Sequence, residues 1–214
     1  MTRWGLVGRW VFIVSLGAWH LGVLWIALHP RVDAVYRTLY LDGALLRLDK
    51  RVKDWTVDPR LYYRLGTMLD LTQARAELAE GEWRFDGSDG TWMVVSRATL
   101  LLIPQPVPTD AIDLVVRAAA FVPRRTGETV VVASVNGVEL ARWRFRDGEG
   151  LRELRAPLPD LAFEVSARLG QRYSIAFEVL DPRTGNRRGY EDIRAILGLR
   201  LVALCLVPAG RSCR

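Results

Sequence analysis

The sequence predicts a mainly β protein in which an N-terminal transmembrane helix and a helical stalk precede an antiparallel, jelly-roll-like β-sandwich. Three observations lead to this fold class: an uncharged apolar run near the N-terminus, apolar spacings of three and four residues in the next segment, and short apolar runs divided by Gly, Pro, Asp and Asn thereafter. The predicted domains are an anchor at 1–29, a juxtamembrane stalk at 30–80 and a sandwich at 81–214. With 214 residues, of which 50% are hydrophobic, the chain can build one folded core.

The anchor is predicted from residues 10–28, which contain no charged side chain. As a helix, this run spans about 28 Å, the thickness of a bilayer core. A cleaved signal peptide is the alternative, but the run is longer than a signal-peptide core and no small-x-small cleavage site follows it before Pro30. We therefore expect a single-pass protein of a bacterial inner membrane, surrounded by lipids, with a cytoplasmic N-terminus and a periplasmic sandwich.

His20 lies near the middle of this run, where an imidazole needs a partner. Ala18 and Gly22 place small residues on one face, which lets another helix approach closely. The pattern favours packing against other transmembrane subunits. Axial ligation of a haem or a chlorophyll-type pigment by His20 is the alternative; no other cofactor and no metal site is predicted.

Composition excludes several kinds of catalysis. The chain has two histidines, His20 and His29, so the body of the protein lacks the imidazole that Ser-His-Asp, Cys-His and His-ligated zinc sites require. A pair of carboxylates needs no imidazole, but no spacing selects such a pair. We therefore predict that the protein is not an enzyme. The net charge of +6 comes mainly from arginines spread along the chain, whereas a nucleic-acid binder concentrates them.

The stalk is predicted to be mainly helical. Leu61, Leu65, Met68 and Leu69 recur at helical intervals, and an amphipathic run from 71 to 79 ends at a glycine typical of a C-cap. Apolar and charged residues alternate over 45–53, which favours a solvated amphipathic stalk, with a surface-lying or partner-binding helix as the alternative.

The body is predicted to contain nine strands. Asn136-Gly137 lies between two apolar runs, which is a strong signal for a β-hairpin. The last strand is apolar on both faces, as expected of a central strand. The predicted strands are 82–85, 91–95, 98–103, 112–121, 129–135, 138–145, 151–156, 172–180 and 197–207.

Three short motifs of this body resemble a known domain type. They are Gly81-Glu82-Trp83, Val135-Asn136-Gly137 and the segment from Asp192 to Leu201. They resemble the β-sandwich domain appended to many bacterial membrane glycosyltransferase-related proteins, which is similar to galactose-binding-like jelly rolls. The resemblance covers roughly residues 81–207 and implies a periplasmic, non-catalytic sandwich. Within it, Asp192 and Arg194 are expected to form a structural ion pair.

A basic loop before the last strand is the main candidate binding site. Its guanidinium groups and aromatic ring suit an acidic saccharide, a lipid headgroup or an acidic patch of a partner protein. Trp83 and Trp92 are candidate stacking platforms for a sugar ring, with core packing as the alternative. The candidate residues of the loop are Arg183, Asn186, Arg187, Arg188 and Tyr190.

The two cysteines, Cys205 and Cys213, could form a disulfide in an oxidising compartment. The burial expected of Cys205 argues against it. Together, these features predict an accessory subunit of a membrane protein complex. A saccharide-binding accessory module for a membrane glycosyltransferase is the alternative.

Overall fold

The structure is a computed structural model that describes residues 3–28, 32–54, 57–73, 75–85, 89–123, 127–180 and 198–214, with the side chains of the first helix from residue 12 onward. The chain divides into two compact units, Met1–Ala34 and Val35–Arg214.

The first unit contains one helix, α1 (Arg3–Leu28). From residue 12 onward its apolar side chains are exposed, among them Phe12, Trp19 and Ile26. Within the part of the chain that the structure describes, no helix combines the length and the mean hydropathy needed to cross a membrane. The predicted transmembrane anchor is therefore not supported by the structure.

The second unit is a β-sandwich of two sheets. One sheet has the strand order β1-β5-β10-β7-β8 and the other the order β3-β4-β11-β6-β9, with β2 paired to β11. The strands β1 and β5 are parallel, and the other pairs in the described sheets are antiparallel. The strands are β1 (Tyr62–Arg64), β2 (Leu69–Asp70), β3 (Trp83–Phe85), β4 (Thr91–Met93), β5 (Arg97–Gln105), β6 (Ile112–Ala120), β7 (Glu128–Val135), β8 (Val138–Arg146), β9 (Arg152–Pro157), β10 (Tyr173–Leu180) and β11 (Leu199–Pro208).

All nine strands predicted from the sequence are present, with ends shifted by up to two residues. Strand β11 is central, as its two apolar faces predicted. The main core lies between the two sheets, where alternate side chains of each strand point inward. It includes Leu100, Val131, Phe145 and Phe177 from the first sheet and Leu114, Leu154, Leu204 and Leu206 from the second.

The predicted helical stalk is corrected by the structure. The segment before β1 forms only short turns, and it packs on the sandwich. Leu39 and Val52 are buried against Leu101 and Ile103 on the outer face of β5, together with Val165. The turns are α2 (Ala34–Tyr36), a π-helical turn (Arg37–Leu41), α3 (Ala44–Arg47), α4 (Lys50–Lys53) and a 3-10 turn (Pro59–Leu61); Val165 belongs to α5 (Asp160–Arg168), a helix that the sequence interpretation missed.

The helices predicted over 61–69 and 71–79 are also wrong. Leu61 and Tyr63 are buried while Tyr62 is exposed, and Leu69 and Leu71 are buried on either side of an exposed aspartate. This burial has a period of two, which is the period of a strand. The spacings of three and four that suggested helix arise because two short strands follow each other closely along the chain.

The predicted hairpin joins β7 and β8. Asn136 (φ 49°) and Gly137 (φ 81°) both have positive φ, as a two-residue hairpin turn requires. The Asn136 side chain is fully buried, and its amide nitrogen donates to Ser166 Oγ (2.6 Å) and to the Arg172 carbonyl (2.8 Å). Its oxygen accepts from Ser174 N (2.9 Å). One turn residue thus links the hairpin to α5 and to β10.

We expect Asn136→Ala to lower the free energy of unfolding by about 3 kcal/mol, because it leaves buried backbone groups without partners and places alanine at positive φ. Asn136→Gly tolerates the positive φ but also loses the side-chain bonds, so it should lose most of the same stability. Urea unfolding followed by circular dichroism measures both changes, with the exposed Gln73→Ala as control. Wild-type stability in Asn136→Gly would show that the hydrogen bonds of this side chain contribute little.

Candidate functional site

A cleft of about 850 Å³ lies where the β1–β2 turn, the residue after β5 and the tail beyond β11 meet. Glycine at position 66 adopts φ 83° in the turn, and its N–H donates to the Leu206 carbonyl (2.8 Å), which fixes the turn to β11. The lining residues are Arg64, Leu65, Gly66, Thr67, Pro106, Val207, Pro208, Gly210, Arg211, Ser212 and Arg214.

Tyr63 supports the turn from inside the sandwich. Its hydroxyl donates to the Thr67 carbonyl and accepts from Leu206 N (3.1 Å). The side chain is buried, and this burial raises the pKa of Tyr63 to about 12. The neutral phenol therefore connects the cleft turn with β11.

The tail is joined to β11 by a disulfide between Cys205 and Cys213, whose Cα atoms are 6.4 Å apart. This corrects the argument that burial of Cys205 disfavours a disulfide. Cys205 is fully buried on the outer face of β11 with Val207 and with Val115 of the neighbouring strand β6, and Cys213 itself packs on that cluster. The tail that carries the partner cysteine is thus part of what buries Cys205.

Backbone hydrogen bonds hold the rest of the tail. Arg214 N donates to the Gly66 carbonyl (2.9 Å), and Met68 N donates to the Arg214 carbonyl (2.9 Å). Arg155 Nη2 donates to the Arg211 carbonyl (2.7 Å). These bonds and the disulfide give the cleft a wall of defined backbone geometry.

The cleft is electrostatically positive. Arg64, Arg211 and Arg214 are exposed, and none of the described residues that line the cleft is Asp or Glu. Asp113, which accepts from Gly210 N in the tail (3.4 Å), is paired with Arg155 Nη1 (3.1 Å). The nearby carboxylate is therefore already engaged, and it does not neutralise the three lining arginines.

A second cleft, of about 430 Å³, lies beside α4. Its lining mixes cations with carboxylates, and two of its arginines are paired. Arg51 contacts Asp49 (2.8 Å), and Arg97 contacts Glu178 (2.9 Å). Because its charges are largely compensated, this cleft gives a weaker indication of a charged ligand.

The two candidate tryptophans occupy different environments. Trp83 packs against the core, its ring 6.4 Å from that of Phe177, and its indole N–H donates to the Thr99 carbonyl (2.7 Å). Trp92 is partly buried, and the Arg200 guanidinium lies 5.6 Å from its ring centroid. Trp83 thus has the geometry of a core-packing residue, the alternative to sugar stacking, whereas Trp92 faces outward from β4.

The other residues of the sequence-predicted sites lie partly on α1 and partly outside the described residues. Ala18, His20 and Gly22 lie on α1, where His20 Nδ1 donates to the Leu16 carbonyl (2.7 Å). The residues predicted in the basic loop and in the ion pair lie outside the described residues. These are Arg183, Asn186, Arg187, Arg188, Tyr190, Asp192 and Arg194.

Sequence reasoning missed the arginines of the cleft. Arg64 belongs to a segment interpreted as helix, while Arg211 and Arg214 belong to a polar tail with no motif. The only sequence signal that bears on them is the Cys205–Cys213 pair, because its closure returns the tail to β11.

No family model matches this sequence, and no match was found among curated proteins. Similar solved structures include the Cry4Aa mosquito-larvicidal toxin from Bacillus thuringiensis, with 12% sequence identity and a TM-score of 0.43 over 72% of this chain and 26% of that chain. They also include the carbohydrate-binding module CBM36 in complex with calcium and xylotriose, with 11% identity and a TM-score of 0.38 over 65% of this chain and 98% of the module.

A third similar structure is the GH26-CBM35 β-(1,4)-mannanase of Podospora anserina, with 13% identity and a TM-score of 0.34 over 68% of this chain and 28% of the mannanase. The chain spans only about a quarter of the length of the toxin and of the mannanase. At these values the similarities assign no ligand or activity to this chain.

The raised pKa of Tyr63 predicts a loss of stability at alkaline pH. The folded-state pKa, about 12, lies above the ordinary value of 10.0, so the stabilisation is complete below pH 10.0 and is lost as the pH rises through about 12. Burial also raises the pKa of Tyr173. We therefore expect Tyr63→Phe to flatten, without abolishing, the alkaline fall in the free energy of unfolding.

Urea unfolding over this pH range, with phenolate absorbance recorded in parallel, measures the effect. Tyr40→Phe, which alters an exposed ring, is the matched control and should keep the wild-type profile. An unchanged profile in Tyr63→Phe would contradict the assignment of a neutral phenol to this position.

Proposed function

We propose that the protein is a non-catalytic saccharide-binding module whose ligand occupies the cleft beside the tail. The observation that carries the proposal is the composition of this cleft. The hydroxyls of Thr67 and Ser212 and the backbone of the tail offer hydrogen-bond groups, while Pro106 and Pro208 offer apolar surface. A sugar ring has both kinds of surface, and the cleft volume suits a small ligand.

The resemblance found in the sequence supports a more specific role. In this proposal the sandwich is jelly-roll-like and galactose-binding-like, and it serves as an accessory module for a membrane glycosyltransferase. The basic loop 183–190 and Trp92 are proposed as a second ligand-contact surface, because Trp92 pairs with Arg200 and not with the end of β11 that lines the cleft. The absence of histidine after His29 supports binding over imidazole-based catalysis.

The periplasm is the proposed location of the sandwich. Both cysteines of the chain are joined in one disulfide. Structural disulfides persist in oxidising compartments, of which the bacterial periplasm is one. The proposed arrangement keeps the N-terminus on the cytoplasmic side of an inner membrane.

A glycan array probed with the full chain in an uncharged detergent tests the saccharide proposal. We expect binding to a restricted set of glycans and loss of that binding in Ser212→Trp, because an indole at this exposed position fills the cleft. Ser96→Trp introduces the same ring at an exposed position outside the cleft lining. It should bind like the wild type.

Absence of binding to every glycan would refute the proposal. Binding that survives in Ser212→Trp would move the ligand away from this cleft. Thermal unfolding of both variants identifies any loss that is due to misfolding.

A second candidate function is suggested by α1. Its exposed apolar side chains, such as Trp19, Leu21 and Trp25, bury little surface within the chain, and water does not solvate such a helix favourably. In this candidate the protein is an accessory subunit of a membrane complex, and α1 packs against lipids and against helices of other subunits. No cofactor is proposed; haem or pigment ligation by His20 remains the alternative.

Gentle detergent extraction followed by mass spectrometry tests the subunit proposal. We expect the protein to travel in a stoichiometric complex that is lost in Gly22→Leu, because a larger side chain prevents close helix approach. Apart from its chain neighbours and the adjacent helix backbone, no heavy atom of the described residues lies within 4 Å of the position of a Cβ at Gly22. Ala27→Leu, on another face of α1, is the control. A free monomer from the wild-type protein would refute this proposal.

A further inference from the structure

The cleft contains a set of unpaired cations. Within the described part of the chain, the guanidinium groups of Arg64, Arg211 and Arg214 take part in no ion pair or hydrogen bond. Elsewhere on the surface, Arg142 is bonded to Glu139 (2.7 Å) and Arg152 to Glu149 (2.7 Å). In the described part of the chain, Arg117 and Arg144 are likewise exposed without an ion pair, so the cleft is distinguished by three such arginines that line one depression.

Three positive groups around one depression repel each other, and a bound anion removes that repulsion. Arg155 already engages the carboxylate of Asp113, which approaches the tail. Because no described Asp or Glu side chain lines this cleft, a ligand can supply an anionic partner to its arginines. Planar guanidinium groups match the paired oxygens of carboxylate, phosphate and sulfate groups.

Two of the three arginines are held on a constrained backbone. The disulfide fixes Cys213, which lies between Arg211 and Arg214 in the sequence. The Arg211 carbonyl accepts from Arg155, and the Arg214 backbone bonds to the β1–β2 turn. A wall that is ordered before binding lowers the entropic cost of binding.

We propose that this cleft recognises an acidic saccharide through its anionic substituent, which Arg64, Arg211 and Arg214 hold. This inference rests on the proposed saccharide binding and adds the requirement for charge. The sugar hydroxyls contact the tail backbone and Thr67, and the acidic group lies among the guanidinium groups. Uronic acids, sugar phosphates and sugar sulfates share this chemistry.

The charge requirement can be tested on one sugar skeleton by calorimetric titration. The full chain, in uncharged detergent, is titrated with trigalacturonate and with its methyl ester. We expect the acid to bind at least about tenfold more tightly than the ester. Arg64→Gln and Arg211→Gln should each weaken acid binding by about fivefold and leave ester binding unchanged. Arg144→Gln, which removes an exposed charge outside the cleft lining, should change neither.

Glucose 6-phosphate and glucose 6-sulfate, each compared with glucose, distinguish the anionic groups, and inorganic phosphate serves as the sugar-free probe. Equal affinity for acid and ester would overturn the charge requirement while leaving saccharide binding intact. Arg64→Gln and Arg211→Gln variants that bind the acid as well as Arg144→Gln does would have the same meaning. Phosphate binding that depends on Arg64, without binding of any sugar, would overturn the proposed function but retain an anion site. Binding of no probe would overturn both.

Discussion

Strand β11 is apolar on both faces, and both faces have to be covered. On the inner face, Leu201, Leu204 and Leu206 contribute to the core between the sheets. On the outer face, Cys205 and Val207 would be exposed if the chain ended with the strand. The tail returns over them, and its disulfide keeps it there. Covering this one strand creates the wall of the cleft, so the candidate site follows from a requirement of packing.

The other sheet meets the same constraint in a different way. Leu101 and Ile103 of β5 point away from the main core, and they are covered by the segment that precedes β1 and by α5. A solvated stalk would leave them in water at a cost of about 2 kcal/mol for each side chain. The segment therefore forms short turns that follow the sheet surface instead of a long regular helix.

Charge distribution distinguishes the two clefts. Beside α4, arginines are placed next to aspartate and glutamate, and their interactions stay within the protein. Beside the tail, Arg64, Arg211 and Arg214 have no aspartate or glutamate neighbour among the described residues of the cleft lining. Ion pairs at a surface contribute little stability. This difference in pairing therefore affects ligand preference more than folding. An anion would make its most favourable electrostatic interactions in the tail cleft.

Local sequence patterns were sufficient for the strands of the body and for the hairpin at Asn136-Gly137. Alternating burial and positive φ are properties of a few neighbouring residues, so they can be predicted without knowledge of distant contacts. They were not sufficient for β1 and β2. These strands are too short to show a period clearly. They form because β5 has an open edge for β1, and because β4 pairs with only the start of β11 and leaves the following residues open to β2.

The sequence by itself determined a strand-rich body, a central last strand and the absence of histidine after His29. Only the tertiary structure decided that Cys205 is bonded to Cys213, that the segment before β1 packs on the sandwich, and that Arg64 lies at one cleft with the arginines of the tail. The physical reason is separation along the chain. More than 140 residues lie between Arg64 and the tail. Local conformational preferences do not predict which distant surfaces the packing of the core brings together.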